Sequence, residues 1–208
     1  MEELFEGVKK FTSVHFDEYK NLFNQLSRKQ KPHTLFIGCS DSRVVPNLIT
    51  STMPGELFII RNIANIIPKN RESKDFLATT SAIEYAVKVL EVSNIIVCGH
   101  SNCGGCNAFY LPEETLAKTP HTKKWIQCSS AVIEKIKKDK ETMNDPIKRE
   151  IATEQMNIVE QINHLLSYPD IEKKYKNNEL NIFGWYYIIE TGEIYNYNKD
   201  KHIFEIIE

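Results

Sequence analysis

The sequence contains no long apolar run, no surplus of either charge, and little glycine or proline. Each absence removes a class of protein. With 26 basic against 28 acidic residues and a formal charge of -2, no basic excess is available to meet a phosphate backbone or an anionic membrane surface. Neither nucleic acid nor membrane is therefore expected as a partner. No stretch approaches the ~20 apolar residues that span a bilayer. The acidic start Met1-Glu2-Glu3-Leu4-Phe5-Glu6 lacks the basic end and apolar core of a secretory signal. Eight glycines and eight prolines in 208 residues are too few for a long flexible linker, and no repeat or low-complexity tract is present. Five cysteines are an odd number for a disulfide framework, and thiolates recruited as ligands must stay reduced, so a cytoplasmic setting is expected. The length suits one well-buried core, which predicts a single domain over residues 1–208.

What is present is an alternation of helical and strand patterns. Leu4, Val8, Phe11, Phe16, Tyr19, Leu22, Phe23 and Leu26 recur at helical spacing and predict an N-terminal helical arm, as two helices or one broken helix. Thr34 to Ile37 and Leu57 to Ile60 are short apolar runs rich in β-formers and predict buried strands. Asp75 to Leu90 places Leu77, Ile83, Ala86, Val87 and Leu90 on one helical face, and Ile95 to Val97 follows as another strand. Strand, helix, strand implies a right-handed parallel crossover. Helices are expected from Lys123 to Lys138 and from Pro146 to Leu166, the second capped by Asp145 with Pro146 in its first turn and a buried stripe of Ile147, Ile151, Ile158, Ile162 and Leu165. Asn181 to Tyr197 predicts two aromatic strands around Glu190-Thr191-Gly192-Glu193. The fold class is α/β: a mostly parallel central sheet flanked by helices, with the N-terminal helical arm and a C-terminal edge strand or hairpin.

Sheets of this kind bind ligands beyond the carboxyl ends of their strands, where the strand order reverses. Cys39 in Phe36-Ile37-Gly38-Cys39-Ser40-Asp41-Ser42-Arg43, and His100 and Cys103 in Val97-Cys98-Gly99-His100-Ser101-Asn102-Cys103-Gly104-Gly105, all fall at such ends. Two thiolates and one imidazole match the three protein ligands of a catalytic zinc site, with a fourth position left for water. Asp41 and Arg43 alternate with Cys39 and can lean toward the same pocket, where a guanidinium keeps the carboxylate ionised and able to accept a proton.

Rival readings use the same residues. Cys39 and Cys103 as ordinary buried thiols leave their coincidence with three strand ends unexplained. Cys103-Gly104-Gly105-Cys106 as a redox pair leaves Cys39, Asp41 and His100 without a role. Cys106 as a fourth ligand would close the site, but a further three-residue step carries it one helical turn away. Cys98 and Cys128 are read as buried structural thiols.

At CSDSRV and HSNCGGC the sequence resembles the β-class carbonic anhydrases, and the likeness extends through PGELFIIRNIAN, the AIEYAV helix and the aromatic tail. The resemblance implies that Cys39, His100 and Cys103 bind one zinc ion (Zn2+) per subunit and that Asp41 and Arg43 form the catalytic dyad. It implies reversible hydration of carbon dioxide to bicarbonate and a proton through attack of zinc-bound hydroxide. It also assigns substrate contacts: Gln30 as a hydrogen-bond donor, the Gly104 N–H near a substrate oxygen, and Phe58, Ile63 and Tyr85 as the pocket wall at a subunit interface, in a homodimer or homotetramer. Without the resemblance, Gln30 is a polar residue before Pro32 and the other three side chains are core residues. A bicarbonate-inhibited subgroup typically has Trp where Phe36 stands, with Arg61 and Tyr187 matching its other two anchors. Phe cannot supply the indole N–H, so an open site is expected, with water and not Asp41 in the fourth position at neutral pH. Alternatives are hydrolysis of carbon disulfide or carbonyl sulfide on the same scaffold, or a noncatalytic zinc or redox protein using the C-x-x-C pair. None of His15, His33, His121, His164 and His202 is nominated as a proton shuttle.

Overall fold

A computed structural model of the chain describes residues 1–71 and 75–208. The chain forms two compact units, residues 1–31 and 32–208. The first unit is a broken helix: Glu2–Lys10, a wider turn over Phe11–His15, then Phe16–Leu26. Its aromatics pack on one another, Phe16 stacking on Phe23 at 5.6 Å and meeting Phe11 edge-on at 6.1 Å, and none of its helical residues is buried.

The second unit is built on a six-stranded sheet in the order β2-β1-β3-β4-β5-β6. The strands are β1 (Thr34–Cys39), β2 (Leu57–Asn62), β3 (Asn94–His100), β4 (Asn181–Tyr187), β5 (Ile194–Asn198) and β6 (Ile203–Ile206). The pairs β2/β1, β1/β3 and β3/β4 are parallel, and β4/β5 and β5/β6 are antiparallel. From β1 the chain adds β2 on one side and then returns to add β3 on the other. The strand order therefore reverses between the carboxyl ends of β1 and β3, where Cys39 and His100 sit.

β1 is buried throughout, whereas β2 lies at the sheet edge and leaves Ile59 and Arg61 exposed. The expectation that both are fully buried is corrected accordingly, because an edge strand has a neighbour on one side only. The C-terminal strands form a three-stranded meander. The last of these, β6, is a four-residue run that the aromatic pattern ending at Tyr197 does not predict.

On one face, Leu35, Ile37, Ile95 and Val97 join Ile158, Ile162 and Leu165 of the long helix Pro146–Leu165 in the main core. Glycine sets that helix close to the sheet. A Cβ on Gly99 would stand 2.7 Å from Ile158 Cγ1, and one on Gly184 would stand 2.8 Å from Ile162 Cδ1. On the other face Phe36, Ile96 and Cys98 pack with Leu57, Trp185 and Tyr187.

Asp145 caps the long helix as expected, its Oδ1 accepting the N–H groups of Ile147 and Lys148, with Pro146 in the first turn. Its buried face differs from the predicted stripe. Ile147 is 71% and Ile151 42% exposed, because the helix turns polar Thr153, Glu154, Asn157 and Gln161 inward beside Ile158 and Ile162.

Two other predicted helices are also modified. The helix after Asp75 starts at Leu77, which is exposed, and widens over Tyr85–Val89. The helix expected over Lys123 to Lys138 is Pro120–Ile126, a tight turn Gln127–Ser129, and Ser130–Lys138. There Ser129 turns inward and its Oγ accepts from Gln161 Nε2 at 2.9 Å. Among the described residues no helix is long and apolar enough to cross a membrane.

Candidate metal centre

β1 delivers Cys39 and β3 delivers His100 to the same end of the sheet. Cys103 follows on a turn whose Asn102 has a left-handed φ of 55°, a conformation that asparagine tolerates better than most residues. The turn feeds the short helix Gly104–Asn107. Gly105 is required there, since a Cβ would lie 2.8 Å from Ala64 Cβ and 2.9 Å from the Ala64 backbone nitrogen. The two loops that frame the centre can pack only through that glycine.

Cys39, His100 and Cys103 are all buried, and their potential ligand atoms lie within 4.8 Å of one another. The two sulfurs are 4.0 Å apart, close to the ~3.8 Å that two 2.3 Å zinc–sulfur bonds at a tetrahedral angle require. His100 Nδ1 lies 2.9 Å from the Ser101 carbonyl oxygen. That oxygen can only accept, so Nδ1 carries the proton and Nε2 the lone pair. Nε2 is buried and has no hydrogen-bond partner. A buried polar atom left in this state is costly, and here it faces two thiols.

Thiol–thiol hydrogen bonding with Cys103 and burial push the Cys39 thiol up to about 12, and the neighbouring Cys106 thiol raises that of Cys103. Without a cation these sulfurs stay neutral, whereas a metal would take them as thiolates and release protons. Cys106 and Cys98 are buried outside the three-residue group, and Cys128 is half-buried. Burial, with a smaller contribution from the nearby Cys39, pushes the Cys98 thiol up to about 12.

Beside the group stands Asp41. Arg43 donates Nε to Asp41 Oδ1 at 2.9 Å and Nη2 to Oδ2 at 2.8 Å, and the Arg43 backbone N–H also reaches Oδ1 at 3.0 Å. These bonds hold the Asp41 carboxyl well below the usual carboxylate range. Arg43 Nη2 is further tied to the Asn102 carbonyl at 3.1 Å, linking the β1 and β3 loops. Asp41 Oδ2 lies 3.9 Å from His100 Nε2, beyond hydrogen-bond range. Arg61 donates to the carbonyls of Cys39 and Asp41, so it braces the strand end that carries both residues.

The expected substrate residues fall into three places. Gly104 and Ile63 adjoin the centre, Ile63 meeting Gly105 and its carbonyl accepting Trp125 Nε1 at 2.9 Å. Phe58 and Tyr85 pair at 5.9 Å between ring centroids. The register sets Phe58 beside Leu35, four residues and about 13 Å of strand before Cys39. The chain therefore does not bring Phe58 and Tyr85 to its own metal centre. Gln30 is exposed and lies in the N-terminal unit.

Comparison with known proteins decides the family. A carbonic anhydrase family model matches residues 34–194. A carbonic anhydrase of Helicobacter pylori strain J99 is 50% identical over 208 residues, covering 99% of this chain and 94% of that protein. One from Synechocystis is 38% identical over 98% of this chain and 73% of its own. Among solved structures, a β-carbonic anhydrase superposes with a TM-score of 0.93 at 37% identity, covering 100% of this chain and 99% of that one. The chain belongs to the β class of the carbonic anhydrase family, a family of lyases. A β-carbonic anhydrase described as tetrameric, from the ascomycete Sordaria macrospora, matches with a TM-score of 0.73 at 30% identity over 94% of this chain and 92% of that one.

In this carbonic anhydrase fold the long helix supplies a residue that motif reading passes over. Glu154 is buried, its Oε1 accepting the Cys103 backbone N–H and its Oε2 the Tyr186 hydroxyl, both at 2.7 Å. Burial pushes its carboxyl up to about 7 against these two donors. The signal was available in the sequence: 147, 151, 154, 158, 162 and 165 share one helical phase, and 154 is the only charged position among them.

Proposed function

We propose that this chain catalyses the reversible hydration of carbon dioxide to bicarbonate and a proton, with Cys39, His100 and Cys103 holding one zinc ion per subunit. The observation that carries the reading is His100 Nε2, a buried lone pair without a partner that faces two thiols 4.0 Å apart. Soft thiolates with one imidazole suit zinc. When bound, zinc would supply the Lewis acidity that makes water a nucleophile near neutral pH.

The chain's own residues account for the remainder. Asp41, held ionised by Arg43, can only accept hydrogen bonds. At Oδ2 it can take the hydrogen of the attacking water and turn the oxygen lone pair toward the substrate carbon. Both carboxylate oxygens are engaged by Arg43, which supports an open site in which Asp41 stays off the metal. A Cβ placed on Gly104 would meet nothing within 4 Å, leaving room for a substrate oxygen to approach its N–H. Ile63 gives this space an apolar wall suited to an uncharged substrate.

Phe58 and Tyr85 serve the pocket of a second copy, which makes the working unit a homodimer or a homotetramer built from dimers. Gln30 donates to the substrate. Buried thiolate ligands favour a reducing, cytoplasmic setting. Stopped-flow hydration of carbon dioxide on zinc-loaded protein is the test. Activity above the buffer rate is expected, and its absence across neutral to alkaline pH would overturn the reading.

A further inference from the structure

We infer that Glu154 is the positioning residue of the metal loop: its buried carboxylate pins the Cys103 backbone and so fixes where the Cys103 sulfur stands. This rests on the assignment of Cys39, His100 and Cys103 as zinc ligands. Glu154 is 2% exposed, and a carboxylate at that depth is costly unless its acceptor sites are filled. They are filled by two neutral donors, the Cys103 N–H and the Tyr186 O–H, each at 2.7 Å.

Facing an N–H, Oε1 can only accept, so the Cys103 N–H has a fixed target on a rigid helix, three covalent bonds from its own sulfur. The same helix registers the rest of the centre. One turn on, Ile158 packs against Gly99, the residue before His100. Asn157 donates to the Ala64 carbonyl at 2.9 Å, in the loop that closes on Gly105. The metal loop, the His100 strand and the Ala64 loop thus share one support, and Glu154 is the point at which that helix reaches a ligand's own backbone.

Removing a partner that orients a metal ligand typically weakens metal affinity about 10- to 100-fold. Glu154→Ala is expected to show a loss of that size in zinc competition against a chromogenic chelator, together with an altered visible absorption band in the cobalt-substituted protein. Glu154→Gln keeps an acceptor for the Cys103 N–H and should recover most of the affinity. Leu165→Ala, a cavity on the same helix away from the centre, should lower the unfolding temperature while leaving zinc affinity and the cobalt band unchanged.

The inference is overturned if Glu154→Ala binds zinc as tightly as wild type, or if Leu165→Ala weakens binding as much. Should Glu154→Ala not fold, Glu154→Asp decides, since it keeps the charge but draws the oxygens back by one methylene. Binding weaker than in Glu154→Gln is expected, and wild-type affinity would overturn the inference. A wild-type chain that binds no zinc overturns the proposed function and this inference together, whereas normal zinc binding with unaffected Glu154 variants removes only the inference.

Discussion

Two histidines of the second unit are buried, His100 at 0% and His164 at 1% exposure, and their surroundings differ in one respect. His164 is satisfied from within the chain. Its Nδ1 meets the Ile67 carbonyl at 2.6 Å and its Nε2 lies 3.3 Å from Glu160 Oε1, while Lys135 reaches the other oxygen of the same carboxylate. Next to it Gln161 takes the Ile67 N–H and donates to Ser129 and Asn157. His100 is satisfied on one nitrogen only. Burial and residue type are the same, so neither identifies a ligand site. What distinguishes the metal centre is the polar atom whose partner the chain does not provide, surrounded by groups that would become good ligands on losing a proton.

The sharpest way to break this comparison is to truncate both rings. His100→Ala should abolish zinc binding and hydration while destabilising the metal-free protein less than His164→Ala does, since it loses the Nδ1 bond to the Ser101 carbonyl but removes a second nitrogen that has no partner. His164→Ala should keep one zinc per subunit but cost roughly 2–3 kcal/mol in urea unfolding, because the Ile67 carbonyl and Glu160 lose their partner. Equal effects on stability from the two would erase the distinction.

Next in size, Asp41→Asn should retain zinc and lower kcat by about 10²- to 10⁴-fold, the range of a lost proton acceptor. Metal analysis alongside stopped-flow rates checks both halves.

The satisfied site should also show itself through pH. Burial holds His164 below the ordinary histidine value of 6.5, against the Ile67 carbonyl and Glu160, which act to raise it. As pH falls, the unfolded chain takes the proton first. The stability this group contributes is therefore complete above about 6.5 and is lost as pH falls through that value toward the lower folded one. Urea midpoints of metal-free protein compared at pH 7.5 and 5.5 should fall less for His164→Gln than for wild type.

The smallest effect is expected at Cys106→Ser, outside the three-ligand group. Zinc stoichiometry and hydration rate should stay near wild type, and loss of zinc would move Cys106 into the coordination set.

The parts of this molecule legible in its sequence are those set by local chemistry. Apolar runs ending at Cys39 and His100 place both residues at the strand-order reversal. Asp145 followed by Pro146 marks a helix start that the structure repeats. Cys103 three residues beyond His100, with Gly104 and Gly105 after it, marks the tight turn. The rest depends on contacts distant in sequence. Ile147 and Ile151 fit the apolar phase of the long helix yet are exposed, because Asn157 and Gln161 turn inward to bind the loop from Ala64 to Ile67. Glu154 interrupts an apolar stripe, and only its contact with Cys103 gives that interruption meaning. Arg61 matches an anion anchor by resemblance, and only the fold adds that its guanidinium binds the carbonyls of Cys39 and Asp41. Phe58 and Tyr85 show the same limit: the strand register, not the motif, reveals that they stand away from their own chain's metal centre.

The central claim is that Cys39, His100 and Cys103 hold one zinc ion and leave a coordination position open. Zinc-edge X-ray absorption of the purified, zinc-loaded protein at neutral pH tests it most directly. Two sulfurs at about 2.3 Å with nitrogen and oxygen at about 2.0–2.1 Å are predicted. A third sulfur in the coordination shell, or protein that retains no zinc, would contradict it.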